Sequence, residues 1–509
     1  MTFKDVLKTV SLVKWRISEQ LINREILSLC QNSKYATPDC LFFCRVGAVT
    51  DGHLYAKNAY ENGARCFIVE RDVELPSNAS VIKVKSVDEE LKRLSLMFYG
   101  DPAKDMTLIG ITGTKGKTTI ALSVYSIASA CGIPIGYIGT NGVYYGGRVF
   151  ETANTTPDVL ELQKILREMR DFGITTVVIE VSSQALWQER TYGLRFKTCV
   201  FTNLYRDHIG GVEHPTFEHY KASKKCLFLN YGAENIIVNA DSPESRFMIE
   251  GVTCNNLITT SAKGDETCDL FARSGRIAKD GIRPGIEFEC FSAPNFQYQM
   301  NEHGLRIFVP LPGLYSIENA LLTMAVCMTL GIDSCMIAEK MLELRVSGRF
   351  ETVEMKSKPN SLFIIDYAHN GASLSAVLKA MREYEPARII CLFGSVGGRT
   401  FERRAELALA ADADADVIII TSDNPNNEDP MHVIDDIHNA IIDSDKPIFL
   451  IPDRKEAVRK AYELAEDGDF VLFAGKGHET YQLIRGERVP FSERKILEQT
   501  DLIMTPLNI

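Results

Sequence analysis

The sequence has no long apolar run and no paired cysteine motif, and these absences exclude whole classes of protein. None of its apolar stretches approaches the roughly 18 residues that a membrane-spanning helix needs, so we expect no membrane insertion. Its thirteen cysteines are scattered without a C-x-x-C pair, and the first residues, Met1 to Asp5, lack the apolar core of a secretion signal. We therefore expect a cytoplasmic protein with reduced thiols.

The sequence also has no excess of basic over acidic residues. The 56 lysines and arginines stand against 67 aspartates and glutamates, which gives a net charge of −11. Because nucleic-acid-binding surfaces are normally basic, we expect no nucleic-acid partner. Internal repeats and low-complexity tracts are absent as well, and 509 residues that are 45% hydrophobic are enough for three or four domains with ample core.

The chain is organised around residues 108–119, which read Leu-Ile-Gly-Ile-Thr-Gly-Thr-Lys-Gly-Lys-Thr-Thr. The pattern predicts a strand, a glycine loop and then a helix. Backbone N–H groups of such a loop and the helix N-terminus bind phosphate. Lys117 would contact the β- and γ-phosphates, and the Thr118 hydroxyl would bind Mg²⁺. Ile111 replaces the usual first glycine, and a plain glycine-rich turn in an α/β protein is the alternative, but we predict an ATP site here.

Hydrophobic patterns predict an α/β protein of three domains, residues 1–104, 105–346 and 347–509. The first alternates short strands and helices and ends in a linker rich in glycine and proline. In the second, near-continuous apolar strands between helices predict a P-loop ATPase-like parallel sheet covered on both faces. Short alternating strands within residues 250–310 predict an antiparallel appendage to it. In the third domain, apolar strands with helices between them predict another doubly wound, Rossmann-like sheet.

Polar residues follow the strands of the last two domains, at the sheet edge where ligands bind in such folds. Glu180 could hold Mg²⁺, which prefers oxygen ligands; a capping or ion-paired glutamate is the alternative. His208 follows the next strand, and a structural histidine is the alternative reading there. In the third domain the candidate loops are Asp366 to His369, Gly394 to Arg399, Asp423 to Asn426 and Gly475 to Glu479. Any one of them could be a plain turn, but together they favour a binding face.

Eight motifs occur in a fixed order along the chain. They are Gly113-Thr-Lys-Gly-Lys-Thr-Thr119, Asn154-Thr-Thr-Pro157, Glu180-Val-Ser-Ser183, Asp207-His208, Asn319, Ser347-Gly-Arg349, Asp366-Tyr-Ala-His369 and Gly475-Lys-Gly-His-Glu479. Together they resemble the Mur ligase family, in particular its MurE type, which adds the third amino acid of the peptidoglycan stem peptide. The resemblance implies that residues 1–104 bind a UDP-sugar, residues 105–346 bind ATP, and residues 347–509 bind the amino acid.

The same resemblance implies ATP-dependent amide bond formation. The D-Glu carboxylate of UDP-N-acetylmuramoyl-L-Ala-D-Glu would attack ATP to form an acyl phosphate, which the incoming amine would then attack. Two anions must meet, so positive charge is needed between them. The implied catalytic residues are Lys117, Lys224 and His208, and the implied magnesium ligands are Thr118, Glu180, His208 and Lys224 as a carbamate. From the residues alone Lys224 would be a surface lysine, and Lys225 beside it leaves the assignment ambiguous.

Further contacts are implied by matching the same motifs. Those to ATP are Gly113, Thr114, Lys115, Gly116, Lys117, Thr118, Thr119, Asn319, Arg349 and His369. Those to the UDP-sugar peptide are Ser33, Asn154, Thr155, Thr156, Ser182, Gln188 and Arg190. Those to the amino acid are Arg399, Asp423, Asn424, Pro425, Asn426, Gly475 and Glu479.

Asn426 departs from the family pattern in a way that bears on the amino acid. Relatives that add meso-2,6-diaminopimelate carry arginine here, which pairs with the second carboxylate of that substrate. Asparagine cannot make a charged bidentate pair, and residues 207–217 also look more like relatives that add lysine. We therefore expect L-lysine, with meso-diaminopimelate or another diamino acid as the alternative, since Arg399 could still supply a cation.

Two other functions remain open on sequence grounds. Folylpolyglutamate synthase shares the glycine loop and the mechanism, but it lacks the N-terminal domain that residues 1–104 supply. A non-catalytic ATP-binding relative would be expected to have lost Lys117, Glu180 or Lys224, and all three are present. The expected protein is a monomer that takes ATP, Mg²⁺, a UDP-N-acetylmuramoyl-dipeptide and a diamino acid.

Overall fold

The computed structural model describes residues 1–47, 50–206, 209–210, 213–298, 300 and 303–504. The chain forms two compact units. The first unit comprises Met1–Lys115, Ile133–Ile236 and Glu244–Leu257, and the second comprises Gly116–Gly132, Ile237–Pro243 and Ile258–Ile509. The domain boundaries expected near residues 104 and 346 stay a prediction.

The first unit begins with a five-stranded sheet. Its elements are α1 (Phe3–Thr9), β1 (Leu12–Arg16), β2 (Ser28–Cys30), β3 (Cys40–Phe43), α2 (Ala56–Glu61), β4 (Cys66–Val69), β5 (Ser80–Val84) and α3 (Val87–Tyr99). The strand order is β1-β5-β4-β3-β2, parallel except for β1. Alternate residues of β3 enter two different cores, so the sheet is buried on both faces.

The phosphate loop lies between the next strand of the chain, β6 (Thr107–Thr112), and the helix that follows it, α4 (Lys117–Ala130). The elements that follow α3 are β6 (Thr107–Thr112), α4 (Lys117–Ala130), β7 (Ile135–Gly139), β8 (Gly142–Tyr145), β9 (Arg148–Phe150), α5 (Val159–Asp171), β10 (Thr176–Glu180), α6 (Ser183–Trp187), β11 (Thr198–Phe201), α7 (Phe217–Leu229), β12 (Asn235–Asn239), α8 (Ser245–Ile249) and β13 (Asn256–Ser261). Within the first unit the strands lie in the order β11-β6-β10-β7-β8-β9. The first four are parallel and buried except at Thr107, the first residue of β6, whereas β8 and β9 form an antiparallel edge.

The second unit contains α4, an antiparallel group of strands and a six-stranded sheet. Its later elements are β14 (Leu270–Asp280), β15 (Arg283–Ser292), β16 (Leu305–Val309), α9 (Tyr315–Thr329), α10 (Ser334–Met341), β17 (Glu351–Val353), β18 (Leu362–Asp366), α11 (Gly371–Arg382), β19 (Ile389–Phe393), α12 (Phe401–Asp414), β20 (Val417–Thr421), α13 (Pro430–Asn439), β21 (Ile448–Ile451), α14 (Arg454–Leu464), β22 (Phe470–Ala474), β23 (Tyr481–Ile484), β24 (Glu487–Pro490) and α15 (Glu493–Met504). β14, β15 and β16 pair antiparallel, as expected of the appendage, but β13, which lies in the same predicted range, pairs parallel with β14.

The six-stranded sheet has the order β17-β18-β22-β19-β20-β21 and is parallel except at β17. Successive residues of β18 enter two separate cores, one on each face of the sheet. The carboxyl ends of β18, β19, β20 and β22 therefore meet at one edge, and all four candidate loops of this domain begin there.

Most of the predicted strands and helices are present, and the α/β fold class is confirmed. Sequence patterns missed α1, β1, β2, the β8–β9 pair, β17, β21 and the β23–β24 hairpin. β1 and the β23–β24 hairpin are short and largely exposed, so they carry little of the hydrophobic alternation that identifies a strand. Among the described residues, no helix is long and apolar enough to cross a membrane.

Candidate active site

The phosphate loop joins β6 to α4 through two glycines with positive φ. Gly116 is the N-cap of α4 with φ 87°, and Gly113 has φ 151°. A Cβ atom at Gly113 would collide with the Thr202 hydroxyl, and one at Gly116 would lie 2.5 Å from Asn319 Oδ1. Glycine is therefore needed at both positions for space as well as for backbone conformation.

The end of β11 fixes the first half of this loop. Thr202 Oγ1 donates to the carbonyl of Lys115 at 2.7 Å, and Asn203 Oδ1 accepts from the Lys115 N–H at 2.9 Å. The Asn203 carbonyl accepts from the Thr114 N–H, and the Thr114 hydroxyl lies 3.0 Å from Tyr220 Oη. The backbone of Lys115 is thus held on both sides while its side chain is exposed.

Lys224 lies against the same loop, and the expectation of a surface lysine was wrong. It is only 2% exposed, and its Nζ donates to the Gly113 carbonyl at 2.8 Å and lies 4.7 Å from the centre of the Tyr220 ring. Lys225 instead lies over the Phe247 ring and is half-buried. The helical period of α7 turns the first of the two lysines inward, so the structure selects Lys224 as the lysine at the loop.

Glu180 ends β10 and is completely buried. Its Oε1 accepts hydrogen bonds from Tyr137 Oη at 2.6 Å and from the Thr140 N–H at 3.0 Å, and its Oε2 accepts from Thr140 Oγ1 at 3.2 Å. Burial, with the Glu180 charge adding to it, raises the pKa of Tyr137, which stays a hydrogen-bond donor. A buried carboxylate held in this way cannot rotate freely and presents fixed oxygen atoms.

Several residues expected to bind the UDP-sugar peptide lie together beside Glu180. Thr156 Oγ1 donates to the Glu180 carbonyl and accepts from the Ser182 N–H at 3.0 Å. Arg190 donates to the Thr156 carbonyl at 2.9 Å and to Gln188 Oε1. Thr155 joins the group through the hydroxyl of Thr140.

Two further residues predicted to bind the UDP-sugar peptide, Ser33 and Asn154, form no hydrogen bond with this cluster among the described residues. Ser33 begins a short 3₁₀ turn, where its carbonyl accepts from Asn62. Asn154 is exposed in the loop before α5, and its carbonyl accepts from the Thr152 hydroxyl. Their role in binding stays a prediction.

The residues expected to contact ATP in the second unit fall into two places. Asn319, on α9, lies next to Gly116 of the loop. Arg349 lies 5.3 Å from the centre of the Tyr367 ring, and the same ring packs against His369 at 4.9 Å. Burial lowers the pKa of His369, with repulsion from Arg403 and Arg349 adding to it, and this favours the neutral imidazole.

The loops after β20 and β22 bring the expected amino-acid contacts together around a lysine that sequence reasoning had not singled out. Lys476 is fully buried, and its Nζ donates to Asn424 Oδ1 at 2.8 Å and to Glu479 Oε2. Asp423 Oδ1 lies 3.6 Å from the same nitrogen. Asn424 Nδ2 also donates to Glu479 Oε2 at 3.1 Å, so the two loops share one hydrogen-bond network.

The remaining amino-acid candidates lie on the loops that follow β19, β20 and β22. Asn426 has φ 56° and pairs through its backbone with β23, where its N–H donates to Leu483. Pro425 accepts from the Glu428 N–H, and Gly475 has φ 106° and lies so close to Asp423 that a Cβ atom on it would be 2.9 Å from Asp423 Oδ2. Arg399 is exposed on the loop after β19.

A buried ion pair lies behind the same two loops. Arg454, the first residue of α14, donates to Glu493 Oε1 from Nε at 2.9 Å and from Nη2 at 2.6 Å. The guanidinium also donates to the carbonyls of Ala474, at the end of β22, and Ser422, after β20, at 2.7 and 3.3 Å. Because both side chains are at most 3% exposed, the pair is desolvated and connects the two strand ends.

Arg454→Met is expected to destabilise the second unit by about 3–5 kcal/mol, since it leaves the buried Glu493 carboxylate without its partner. Urea unfolding of the wild type and variant measures the loss. The matched control is Arg459→Met on the same helix, whose pair with Glu456 is exposed and is worth about 0–1 kcal/mol. Equal effects of the two substitutions would contradict the role of the buried pair.

Magnesium suits the oxygen atoms of the Glu180 carboxylate. Among the described residues, no group of three or more His, Cys, Asp or Glu side chains could hold a metal ion by itself. His208, one of the expected ligands, lies outside the described residues. Mg²⁺ commonly uses one or two carboxylates together with substrate phosphates and waters, and the buried carboxylate of Glu180 suits that role, while Thr118 stays a predicted ligand.

Comparison with known proteins identifies relatives over nearly the whole chain. Residues 111–327 match the Mur ligase middle domain, and residues 348–477 match the Mur ligase glutamate ligase domain. A UDP-N-acetylmuramoyl-L-alanyl-D-glutamate–2,6-diaminopimelate ligase of Clostridium botulinum is 36% identical over 480 residues, covering 94% of this chain and 95% of the relative. A ligase of the same name from Geobacillus thermodenitrificans is 36% identical over 93% of this chain and 94% of its own length.

Solved structures give the same result for the fold. The structure of a ligase of that name covers 99% of both chains with a TM-score of 0.65 and 26% identity. The folylpolyglutamate synthase of Mycobacterium tuberculosis complexed with ADP covers 76% of this chain and 91% of its own, with a TM-score of 0.58 and 16% identity. The latter likeness shows a shared fold and leaves about a quarter of this chain unmatched.

Proposed function

The chain belongs to the Mur ligase family, whose members are ATP-dependent amide-bond-forming ligases, and on this premise we propose that it joins a diamino acid to UDP-N-acetylmuramoyl-L-alanyl-D-glutamate. The observation that carries the proposal is the 36% identity to ligases of that reaction over 94% of the chain. We further propose that it acts as a monomer in the cytoplasm, in the synthesis of peptidoglycan.

We propose 2,6-diaminopimelate as the amino acid. The expectation of L-lysine is not supported, since the relatives reported above are ligases named for diaminopimelate. Asn426 alone was weak evidence, because its neutral amide can still donate a hydrogen bond to a carboxylate. Arg399, exposed on a loop at the same sheet edge, offers a charge that could serve the second carboxylate.

The proposed reaction assigns a role to each part of the site. The N–H groups of residues 113–119 and the Lys117 ammonium bind the phosphates of ATP, while Asn319, Arg349 and His369 contact other parts of the nucleotide. Mg²⁺, held by Thr118, Glu180, His208 and Lys224 as a carbamate, would neutralise charge on the phosphates. The D-Glu carboxylate attacks the γ-phosphorus and releases ADP. The amine of the amino acid then attacks the acyl phosphate, and phosphate leaves.

A phosphate-release assay with competing amino acids tests the proposal. Purified protein receives ATP, Mg²⁺ and the UDP-N-acetylmuramoyl-dipeptide, with meso-diaminopimelate and L-lysine at equal concentration. We expect phosphate release that depends on the dipeptide, and mass spectrometry should identify the diaminopimelate product as the main one. A main product containing lysine would overturn the choice of amino acid. In a parallel reaction a folate replaces the dipeptide, and phosphate release that requires the folate would overturn the proposed reaction.

A further inference from the structure

A chain of hydrogen bonds joins the short helix α6 to the first turn of α7. The Ser183 hydroxyl lies 2.8 Å from His214 Nε2, and His214 Nδ1 lies 2.8 Å from His219 Nδ1. Ser183 is the first residue of α6, and His219 lies in the first turn of α7. His214 is 0% exposed, and both of its ring nitrogens are used within the protein. The reaction proposed above assigns no role to these three side chains.

Helix α6 depends on contacts of this kind for its position. It has only five residues, and a helix that short is not stable by itself in water. Its N-cap residue, Ser182, donates from its backbone N–H to Thr156 Oγ1 at 3.0 Å. The rings of His214 and His219 pack against Trp187, the last residue of the helix, with ring centres 5.9 and 5.0 Å apart. Together with the bond to its first residue, these contacts fix both ends of α6.

The two histidines are in turn anchored to α7. The His219 N–H donates to Oγ1 of Thr216, the N-cap residue of that helix, at 3.1 Å. The ring of His214 packs against that of Tyr220 with 5.2 Å between centres, and Lys224 Nζ lies 4.7 Å from the centre of the same tyrosine ring. The hydrogen-bond chain therefore sets the position of α6 relative to the helix that carries the predicted carbamate.

We propose that His214 is a positioning residue for the UDP-N-acetylmuramoyl-dipeptide, that it acts through Ser183, and that His219 orients its ring. Three predicted contacts to this substrate lie at the ends of α6 or just after it: Ser182, Gln188 and Arg190. By fixing α6, the histidines fix where these contacts lie relative to Lys224. The proposal rests on the proposed function and adds to it the residues that set the affinity for one of the three substrates.

Steady-state kinetics of Ser183→Ala test the proposal. The change leaves a buried ring nitrogen without its partner, so the KM for the UDP-dipeptide should rise about 5- to 30-fold, while the KM values for ATP and the diamino acid change less than about twofold. The matched control is Ser77→Ala, an exposed serine of the same unit, which should change none of the three. An unchanged KM for the UDP-dipeptide, or an equal rise in all three, would overturn the proposal.

Two substitutions of His214 separate its bond to Ser183 from its other contacts. A glutamine amide extends to the place of Nε2 and can pair with Ser183, whereas an asparagine amide takes the place of Nδ1 and pairs with His219 instead. We expect His214→Gln to keep the KM for the UDP-dipeptide within about threefold of the wild type, and His214→Asn to raise it as much as Ser183→Ala does. Equal KM values for the two variants would contradict positioning through Ser183.

A double-mutant cycle checks that the two residues act through one bond. Combining Ser183→Ala with His214→Asn should raise the KM for the UDP-dipeptide no further than either change alone, because both remove the same hydrogen bond. Effects that multiply would show that the residues act independently, contrary to the proposal. Should a His214 variant fail to fold, Ser183→Ala still decides, since alanine is a good helix former at that position.

A binding measurement keeps the failure of this inference distinct from failure of the proposed function. Calorimetric titration with the UDP-N-acetylmuramoyl-dipeptide is made in the presence of Mg²⁺ and a non-hydrolysable ATP analogue, without any amino acid. The wild type should bind, and Ser183→Ala should bind about 5- to 30-fold more weakly. No binding by the wild type would contradict the proposed function. Binding of equal strength by the two proteins would contradict only the role of the bond between Ser183 and His214.

Discussion

Lys117→Ala is expected to lower kcat for ATP-dependent ligation by about 10²–10³-fold, the usual effect of removing one contact to charge that develops in a transition state. Lys117 is the first residue of α4 and follows the N-cap Gly116, so it lies where phosphate groups meet a helix N-terminus. Its side chain is half-buried. The loop is held by backbone contacts to Thr202 and Asn203 that do not involve this side chain, so the variant should fold normally.

The measurement is phosphate release at saturating substrates, together with the melting temperature of each protein. Lys104→Ala is the matched control, because this exposed lysine lies in the turn before β6, outside the predicted site. Near-normal turnover by Lys117→Ala would contradict the assignment of the phosphate loop. A large fall in melting temperature would show instead that the lysine is structural.

Local patterns were sufficient to predict the main strands and the phosphate loop. The parallel strands are buried on both faces, and such strands are continuous apolar runs. These runs can be recognised in the sequence without knowing the tertiary structure. The sequence also placed Glu180 at the end of its strand, because the carboxyl end of a strand follows directly from where the apolar run stops.

The partners of those residues could not be predicted in the same way. Tyr137 and Thr140 donate hydrogen bonds to Glu180 although they lie about 40 positions earlier in the chain. They come close to Glu180 only because β7 and β10 are neighbours in the sheet. Arg454 lies in Asp-Arg-Lys-Glu, which resembles an ordinary solvated helix start, and nothing local indicates that it is buried with Glu493. Lys476 lies in a motif that was identified, but its burial depends on Asp423 and Asn424 from another loop.

Lys224 shows most clearly what the sequence leaves undecided. The sequence alone does not distinguish two adjacent lysines on one helix. Only the packing of α7 places Lys224 against Gly113 and leaves Lys225 over Phe247. The resemblance to Mur ligases favoured Lys224 independently of this packing, and the two lines of argument agree on the residue, while its carbamylation stays a prediction.

Lys224→Ala is expected to be nearly inactive, with kcat reduced by about 10²–10³-fold or more, if the residue carries a carbamate that serves Mg²⁺. Lys225→Ala, its immediate neighbour, is the matched control and should retain activity. The same phosphate-release assay measures both variants, repeated with added acetate. A small carboxylic acid that enters the space vacated by the side chain should restore part of the activity of Lys224→Ala, because it supplies the oxygen ligand that the carbamate would have given.

Rescue by acetate distinguishes the carbamate from the contact that the plain ammonium makes. If Lys224 served only to donate a hydrogen bond to the Gly113 carbonyl, an anion could not replace it, and a small amine such as methylammonium would restore activity instead. Rescue by the amine but not by acetate would therefore contradict carbamylation while keeping Lys224 in the site. Full activity of Lys224→Ala without any addition would remove it from the site altogether, because a lysine 2% exposed beside the phosphate loop would then have only a structural role.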